Sequence, residues 1–224
     1  MPLPRLRSHP TATAVRDDAT IRVLTVCTGN LCRSPLAEQL LRARLPRAFG
    51  VDELPELLVS SAGTRAFDDD PMDPLAARES LRLGAAGGGD HRARRLLERH
   101  VADADLILAM AREHRSAAAS LAPVAQSRAF TLVELARIVD ALAGGAVDAP
   151  VAPRDEQGVA AWLRQVVRAA ATVRGLMPLP ASPLELDIED PYRFEAEVYR
   201  RSAESVAESV DRLVGGLRRL ADGR

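Results

Sequence analysis

A cysteine and an arginine six positions apart are the residues of this sequence best suited to chemistry. They lie in the stretch CTGNLCRS, residues 27–34, which holds both cysteines of the chain. Gly29 and Asn30 accept backbone conformations closed to most residues, so a tight loop with inward-pointing amides is expected. Free N–H groups at the start of a helix bind phosphate, and this loop therefore predicts a phosphate site.

The residue types at the two ends of the loop fit phosphoryl transfer. The amides, the following helix and Arg33 all favour the thiolate form of Cys27, which makes it a nucleophile. The planar guanidinium of Arg33 can hold two oxygens of a phosphoryl group. Ser34 can hydrogen-bond the sulfur and stabilise it as a leaving group. The predicted phosphate-binding residues are Thr28, Gly29, Asn30, Leu31, Cys32 and Ser34. The alternative is a buried cysteine at a strand end and an arginine without a special role.

A proton donor is needed as well, because transfer of a phosphoryl group to sulfur expels an alkoxide or phenoxide. Asp190, followed by Pro191 and Tyr192, is the candidate general acid. Aspartate before proline is equally typical of a helix N-cap, so the local sequence leaves both interpretations open. Asp187 and Glu189 are nearby alternatives, and like charges among the three carboxylates could favour a protonated form.

Apolar runs of strand length alternate with helical periodicities from residue 21 onward. Strands are predicted at 21–26, 57–60, 105–110 and 128–130, and helices at 35–49, 74–83, 92–100, 112–120, 132–142, 159–173 and 191–220. This alternation predicts an α/β fold with a parallel sheet covered by helices on both faces. The loop 27–34 then follows the first strand, at the sheet edge where ligands bind in such folds.

The chain has 224 residues, enough for one domain with a sizeable core. Residues 1–20 are predicted to be a disordered leader, and 21–222 the domain. Proline and glycine are frequent at both ends of the segment 143–186, which we interpret as an insertion with its own helix. This insertion is a candidate contact surface for a homodimer.

Composition excludes several classes of protein. The formal net charge of −1 gives no overall field to attract nucleic acid or a membrane surface. Two cysteines in one loop cannot provide the disulfide framework of a small secreted protein, and a zinc site would need further clustered ligands. The N-terminus lacks the apolar core of a signal peptide, and no run is long enough to span a bilayer. We therefore expect a soluble cytoplasmic protein.

The stretch VCTGNLCRSP, residues 26–35, resembles the active-site loop of the low-molecular-weight protein tyrosine phosphatases. SAGT at 61–64 and DPY at 190–192 extend the resemblance, which covers roughly 21–142 and 187–220. It implies a flavodoxin-like four-stranded sheet, a phosphocysteine intermediate, phosphotyrosine proteins as substrates, and no metal or other cofactor. It also favours Asp190 as the general acid, which would then activate water against the phosphocysteine.

The same resemblance implies roles for four further residues. Tyr192 and Phe67 would line the substrate pocket, although ordinary loop packing explains Phe67 equally well. His91 would be a core histidine that braces the asparagine of the loop. Cys32 would capture oxidised Cys27 as a disulfide, which makes the enzyme redox-sensitive.

Three other functions are compatible with such a loop. Arsenate reductases share it, but they relay electrons through further cysteines that this chain lacks. Protein-arginine phosphatases also use this loop, but family members that resemble them carry threonine at the position of Leu31, so the aliphatic residue favours phosphotyrosine. A binding protein that docks phosphorylated partners without turnover would need neither Cys27 nor Asp190.

Overall fold

The computed structural model of the protein describes residues 19–85, 89–147, 151 and 158–223. Its four strands are β1 (Ile21–Cys27), β2 (Leu57–Gly63), β3 (Leu106–Ala109) and β4 (Ala129–Thr131). The α-helices of these ranges are α1 (Arg33–Ala48), α2 (Pro74–Arg82), α3 (Glu98–Asp103), α4 (Arg112–Leu121), α5 (Leu132–Ala143), α6 (Val159–Val173) and α7 (Ala196–Ala221). The predicted leader lies outside the described residues, apart from its last two positions.

The strands form one parallel sheet in the order β2-β1-β3-β4. In the central strand, Val23 pairs with Val59 on one side and with Leu106 on the other. Because β1 is central, the loop that follows it opens at the middle of the sheet edge. The predicted α/β class, with a parallel four-stranded sheet of flavodoxin-like order, is confirmed.

Alternate residues of the strands supply two separate cores. Val23 and Leu108 point into the larger one, which α1, α5, α6 and α7 cover. Leu24 and Ile107 point to the opposite face, which α3 and α4 cover with small side chains such as Ala118. Helices thus shield both faces, as a parallel sheet with apolar strands requires.

The helix predicted inside the segment 143–186 is α6, with the predicted bounds Val159–Val173. Trp162, Leu163 and Val166 lie on its apolar face and join the larger core. Arg164 contacts Asp105 just before β3, so α6 packs near the start of the strands, at the sheet edge opposite the loop 27–34. Since this face is occupied within the chain, a homodimer through the segment would have to use its other surfaces.

The prediction of a helix at 92–100 is wrong over most of that range. Residues 91–97 are extended, and only α3 from Glu98 onward is helical. The physical reason is tertiary: Gly63 donates its N–H to the carbonyl of Arg94 at 2.9 Å, and Leu96 donates to the carbonyl of Gly63 at 2.8 Å. These bonds add a one-residue parallel bridge to the end of β2, which helical periodicity cannot reveal.

The last helix begins five residues later than the predicted Pro191, at Ala196. Arg193 has a φ of 68°, outside the helical region, and Glu195 is at the N-cap. Phe194 therefore lies before the helix and is exposed, and the aromatic residue that this helix buries is Tyr199. None of the helices in the described ranges is long and apolar enough to cross a membrane.

Candidate active site

The loop 27–34 joins the end of β1 to the start of α1 in a tight curve. Asn30 has a φ of 56°, in the left-handed region that asparagine tolerates better than most residues. Gly63, at the end of β2, lies directly against the loop, and a Cβ there would come within 2.6 Å of the Thr28 carbonyl oxygen. The curve of the loop therefore depends on the left-handed conformation of Asn30 and on the absence of a side chain at Gly63.

A chain of hydrogen bonds leads to the sulfur of Cys27. The side-chain amide of Asn30 donates to the Ser34 hydroxyl at 2.9 Å, and Ser34 Oγ lies 3.0 Å from Cys27 Sγ. The amide orientation is set independently, because Asn30 Oδ1 accepts the backbone N–H of Arg94 at 3.0 Å. With one lone pair used by Asn30, the Ser34 hydroxyl can donate its proton to the sulfur or to the Ala62 carbonyl oxygen at 3.5 Å, so a hydroxyl group lies beside the sulfur.

The extended segment 91–97 braces this loop. His91 Nε2 lies 2.7 Å from the backbone oxygen of Asn30. His91 is half-buried, so the expectation of a core histidine at this position is wrong, whereas its contact with the loop asparagine is present. The residues that follow His91 do not form a helix, because Arg94 and Leu96 hydrogen-bond through their backbone to Gly63 at the end of β2.

Arg33 is 4% exposed and points from the first turn of α1 toward the cleft. Its Nη1 donates to the Ile188 carbonyl at 2.9 Å, and its Nη2 to Asp190 Oδ2 at 2.5 Å. Arg33 Nε is buried without a hydrogen-bond partner among the described residues. The guanidinium is thus fixed by residues 155 and more positions away in sequence, which places the predicted clamp and the predicted acid side by side.

Asp190 is not the N-cap of the last helix. Its Oδ1 accepts the backbone N–H of Tyr192 at 3.2 Å, which closes a local turn, while Oδ2 faces Arg33. Its side chain is 44% exposed, so it can exchange protons with solvent. The N-cap interpretation that the local sequence left open is therefore excluded by the position of α7.

The two neighbouring carboxylates are engaged elsewhere. Asp187 binds the guanidinium and backbone N–H of Arg112. Burial raises the pKa of Asp187, but the hydrogen bonds and charge of Arg112 outweigh it and leave this pKa below its usual value. Glu189 reaches Arg201 at 3.4 Å on the surface. Of the three candidates, Asp190 is the one at the cleft.

The floor of an open cleft of about 300 Å³ is formed by Cys27, Thr28, Gly29, Cys32 and Arg33. Phe67, 79% exposed, and Tyr192, 42% exposed, stand on its walls as the sequence predicted for a pocket. Leu31 also contributes to the lining. The cleft is apolar at these three side chains and charged at its floor, which suits a phosphorylated ring.

Sequence reasoning missed a buried histidine behind the loop. His114 is 1% exposed in the first turn of α4, and its Nε2 lies 2.9 Å from Thr28 Oγ1, which also accepts a bond from Arg33 at 3.3 Å. Burial and the charge of Arg33 lower the pKa of His114 to about 4, so the ring is neutral near pH 7. Its position just beyond β3, at the same sheet edge as Cys27, was the available signal.

Cys32 is only 5% exposed, at the floor of the cleft. Burial raises the pKa of its thiol strongly, and the charges of Asp73 and Cys27 raise it further. Asp73 accepts a hydrogen bond from Tyr199 at 3.0 Å and donates its backbone N–H to the Leu31 carbonyl at 3.0 Å. This buried cluster ties α2 and α7 to the loop and keeps Cys32 protonated.

Comparison with known proteins identifies the class. Residues 22–171 match the family model of the low molecular weight phosphotyrosine protein phosphatases. The chain belongs to this family. The matched range enters the segment 143–186, which we expected to lie outside the resemblance, and ends before Asp190, whose role therefore depends on the geometry described above.

Individual relatives agree with this assignment. The chain is 42% identical over 101 residues to the low molecular weight protein-tyrosine-phosphatase Etp of Escherichia coli K12, a match that spans 45% of this chain and 62% of that relative. It is 32% identical over 140 residues to a protein-arginine-phosphatase of Geobacillus stearothermophilus, over 60% of this chain and 87% of the relative. A crystal structure of the low molecular weight protein tyrosine phosphatase from T. tengcongensis superimposes with a TM-score of 0.58 and 28% identity, covering 88% of this chain and 99% of the other.

Proposed function

We propose that the protein hydrolyses the phosphate monoester of phosphotyrosine residues in proteins through a phosphocysteine intermediate. The observation that carries this proposal is that Asp190 meets Cys27 and Arg33 in one cleft although it lies more than 150 residues away from them in sequence, with Ser34 Oγ 3.0 Å from the Cys27 sulfur. Membership of the family supports the same chemistry.

In the first step, Cys27 Sγ attacks phosphorus as the P–O bond to the substrate breaks. The amides of residues 28–34 and Arg33 stabilise the charge that develops on the phosphoryl oxygens. A phosphoryl dianion competes with Asp190 for Arg33, and a like charge beside a carboxylate favours its protonated form. Asp190 can then give its proton to the leaving oxygen.

In the second step, the roles reverse. Asp190, now ionised, takes a proton from water as the water oxygen attacks phosphorus, and the P–S bond breaks. The Ser34 hydroxyl, 3.0 Å from Cys27 Sγ, stabilises the departing thiolate. Inorganic phosphate leaves, and the enzyme returns to its starting state.

The test is turnover of para-nitrophenyl phosphate and of phosphotyrosine peptides by the purified protein. Cys27→Ser should abolish turnover and retain phosphate binding, because the amides and Arg33 remain. Phosphate binding without any turnover by the wild type would instead support the alternative of a docking protein without catalytic activity.

Protein-arginine phosphatase activity is the second candidate, and the similarity to the Geobacillus stearothermophilus relative favours it. Against it, Leu31 presents an aliphatic side chain to the cleft and offers no hydrogen bond to a guanidinium. The walls at Phe67 and Tyr192 suit a flat ring. Values of kcat/KM on matched phosphotyrosine, phosphoserine and phosphoarginine peptides decide between the two, and faster hydrolysis of phosphoarginine would overturn our choice.

We also propose reversible inactivation by peroxide, supported by the presence of Cys32 in the same loop as the nucleophile. A reactive thiol at the site favours a reducing compartment, which agrees with the expected cytoplasmic location. A homodimer through the segment 143–186 stays a prediction that the elution volume in size-exclusion chromatography can test.

A further inference from the structure

Two arginines on the walls of the cleft take no part in the proposed phosphoryl chemistry. Arg65 follows β2 and Arg193 follows Tyr192, and both line the cleft with exposed side chains. Arg33 is engaged with Asp190. Neither Arg65 nor Arg193, by contrast, forms an ion pair with any residue that the structure describes.

Backbone hydrogen bonds fix the chain at each arginine. Arg65 donates its N–H to the Thr28 carbonyl at 2.9 Å. Arg193 is the third residue of a tight turn that Phe194 closes by donating to the Pro191 carbonyl at 3.0 Å. Its φ of 68° is a value for which glycine or asparagine is usual in such turns.

The charge on these walls is unbalanced toward positive. Asp70 is the acidic residue that faces the cleft beside the two arginines, while Asp190 is already paired with Arg33. Asp68, close by, does not line the cleft and accepts the backbone N–H of Arg95 at 2.7 Å. Two guanidiniums and one carboxylate leave a net positive charge on the walls. This charge attracts an anionic group on a part of the substrate that lies beyond its phosphate.

We propose that the cleft selects phosphotyrosine peptides with an acidic residue next to the phosphotyrosine, which Arg65 and Arg193 bind. This inference rests on the proposed tyrosine phosphatase activity. The floor residues hold the phosphate, so a carboxylate beside the ring is what the wall arginines can reach. Guanidinium and carboxylate match each other as paired donors and acceptors. Because both arginines are exposed, the effect is modest and depends on salt.

The experiment compares peptides that differ only in the residues on both sides of phosphotyrosine, which are glutamate, its neutral isostere glutamine, or lysine. For the wild type, kcat/KM at low salt should be roughly three to ten times higher with glutamate than with glutamine, the span for one or two exposed ion pairs. Lysine should give the lowest value, and high salt should bring the three together. Arg65→Gln and Arg193→Gln should each lower the glutamate-to-glutamine ratio, whereas Asp70→Asn should raise it.

Arg168, exposed on α6 at the opposite sheet edge, supplies the matched control, and Arg168→Gln should leave the ratio and basal turnover unchanged. A ratio near one in a wild type that hydrolyses para-nitrophenyl phosphate overturns this inference and leaves the proposed function intact. Absence of all turnover overturns the proposed function itself. If either arginine variant fails to fold, the lysine peptide and the salt series on the wild type still decide the matter. If the preference for glutamate over glutamine persisted in both arginine variants, other residues would have to bind the acidic side chain.

Discussion

Asp190 contacts Arg33 through one carboxylate oxygen and the backbone N–H of Tyr192 through the other, and we propose it as the general acid. As a general acid, it matters most where the leaving group is a poor one. Asp190→Asn should therefore slow hydrolysis of phenyl phosphates by roughly 10²–10⁴, with the smallest loss for acidic phenols, which leave without a proton. A series of substituted phenyl phosphates measures this dependence. Equal loss across the whole series would remove Asp190 from the role of acid.

Leu31 tests the choice between tyrosine and arginine at the level of one side chain. It lines the cleft and its backbone carbonyl is held by Asp73, so a substitution there changes the side chain without freeing the loop. Leu31→Thr adds a hydroxyl that can bond the polar leaving group of phosphoarginine. We expect the ratio of kcat/KM for phosphoarginine to that for phosphotyrosine to rise. An unchanged or lower ratio would show that Leu31 serves packing alone.

We propose that Cys32 makes oxidation of Cys27 reversible. Peroxide converts the Cys27 thiolate to a sulfenic acid, and Cys32 sulfur can displace the hydroxyl group to give a disulfide and water. A dithiol reductant then restores both thiols. After peroxide treatment, the wild type should recover with reductant and Cys32→Ser should recover much less. Full recovery of the variant would rule out a resolving role. Since burial and neighbouring charges raise the pKa of Cys32, capture should be faster at higher pH.

Between elements, the closest approach at the site is that of β2 to the catalytic loop. A Cβ at Gly63 would lie 2.6 Å from the Thr28 oxygen and 2.8 Å from the Asn30 nitrogen, both backbone atoms that cannot rotate away. Gly63→Ala should therefore displace the loop, destabilise the protein by about 1–3 kcal/mol and weaken inhibition by phosphate. The inhibition constant of phosphate and a denaturation curve measure the two effects.

Gly175 provides the control for that experiment, because a Cβ at this position would have no neighbouring atom within 4 Å. Gly175→Ala should leave phosphate inhibition unchanged. If Gly63→Ala also left it unchanged, the loop would have to be more deformable than its backbone hydrogen bonds indicate.

Elements with a strong local signal were predictable, and those decided by long-range bonds were not. The apolar run of β1 and the period of α6 gave bounds that the structure reproduces at or near each end. Residues 91–97 have helical periodicity, but the end of β2 and the side chain of Asn30 take up their backbone groups. The start of the last helix was misplaced for a similar reason, since Asp190 and Arg193 fix a turn where proline suggested a first helical turn.

Across the whole molecule, the site combines a local motif with distant residues. Cys27, Arg33 and the phosphate-binding loop were predictable because they are contiguous and their residue types are specific. His114 and Arg65 were not, because each is a single residue that the sheet topology alone brings to the site, His114 behind the loop at Thr28 and Arg65 on the cleft wall. Parallel strand order places the loops after β1, β2 and β3 at one edge, so a search of those positions would have found both.

The segment that contains α6 is expected to fold with the rest of the domain, not as an appendage. Trp162 is 2% exposed, and its ring meets Phe49 of the chain just after α1 edge-on, with centroids 5.8 Å apart. Trp162→Ala should lower the free energy of unfolding by about 3–5 kcal/mol, a large share of the roughly 5–15 kcal/mol of a typical domain. Thermal and denaturant unfolding, each followed by two probes, measure the loss and show whether one cooperative transition remains.

The exposed Arg168 on the same helix gives a matched comparison, because Arg168→Ala should change stability by no more than about 0.5 kcal/mol. The folded fraction of Trp162→Ala should keep its kcat, since α6 packs at the edge of the sheet opposite the cleft. A loss below about 1 kcal/mol, or a separate early transition, would mean that α6 docks on a core that is complete without it. A loss of kcat at full folding would mean that the two edges of the sheet are coupled.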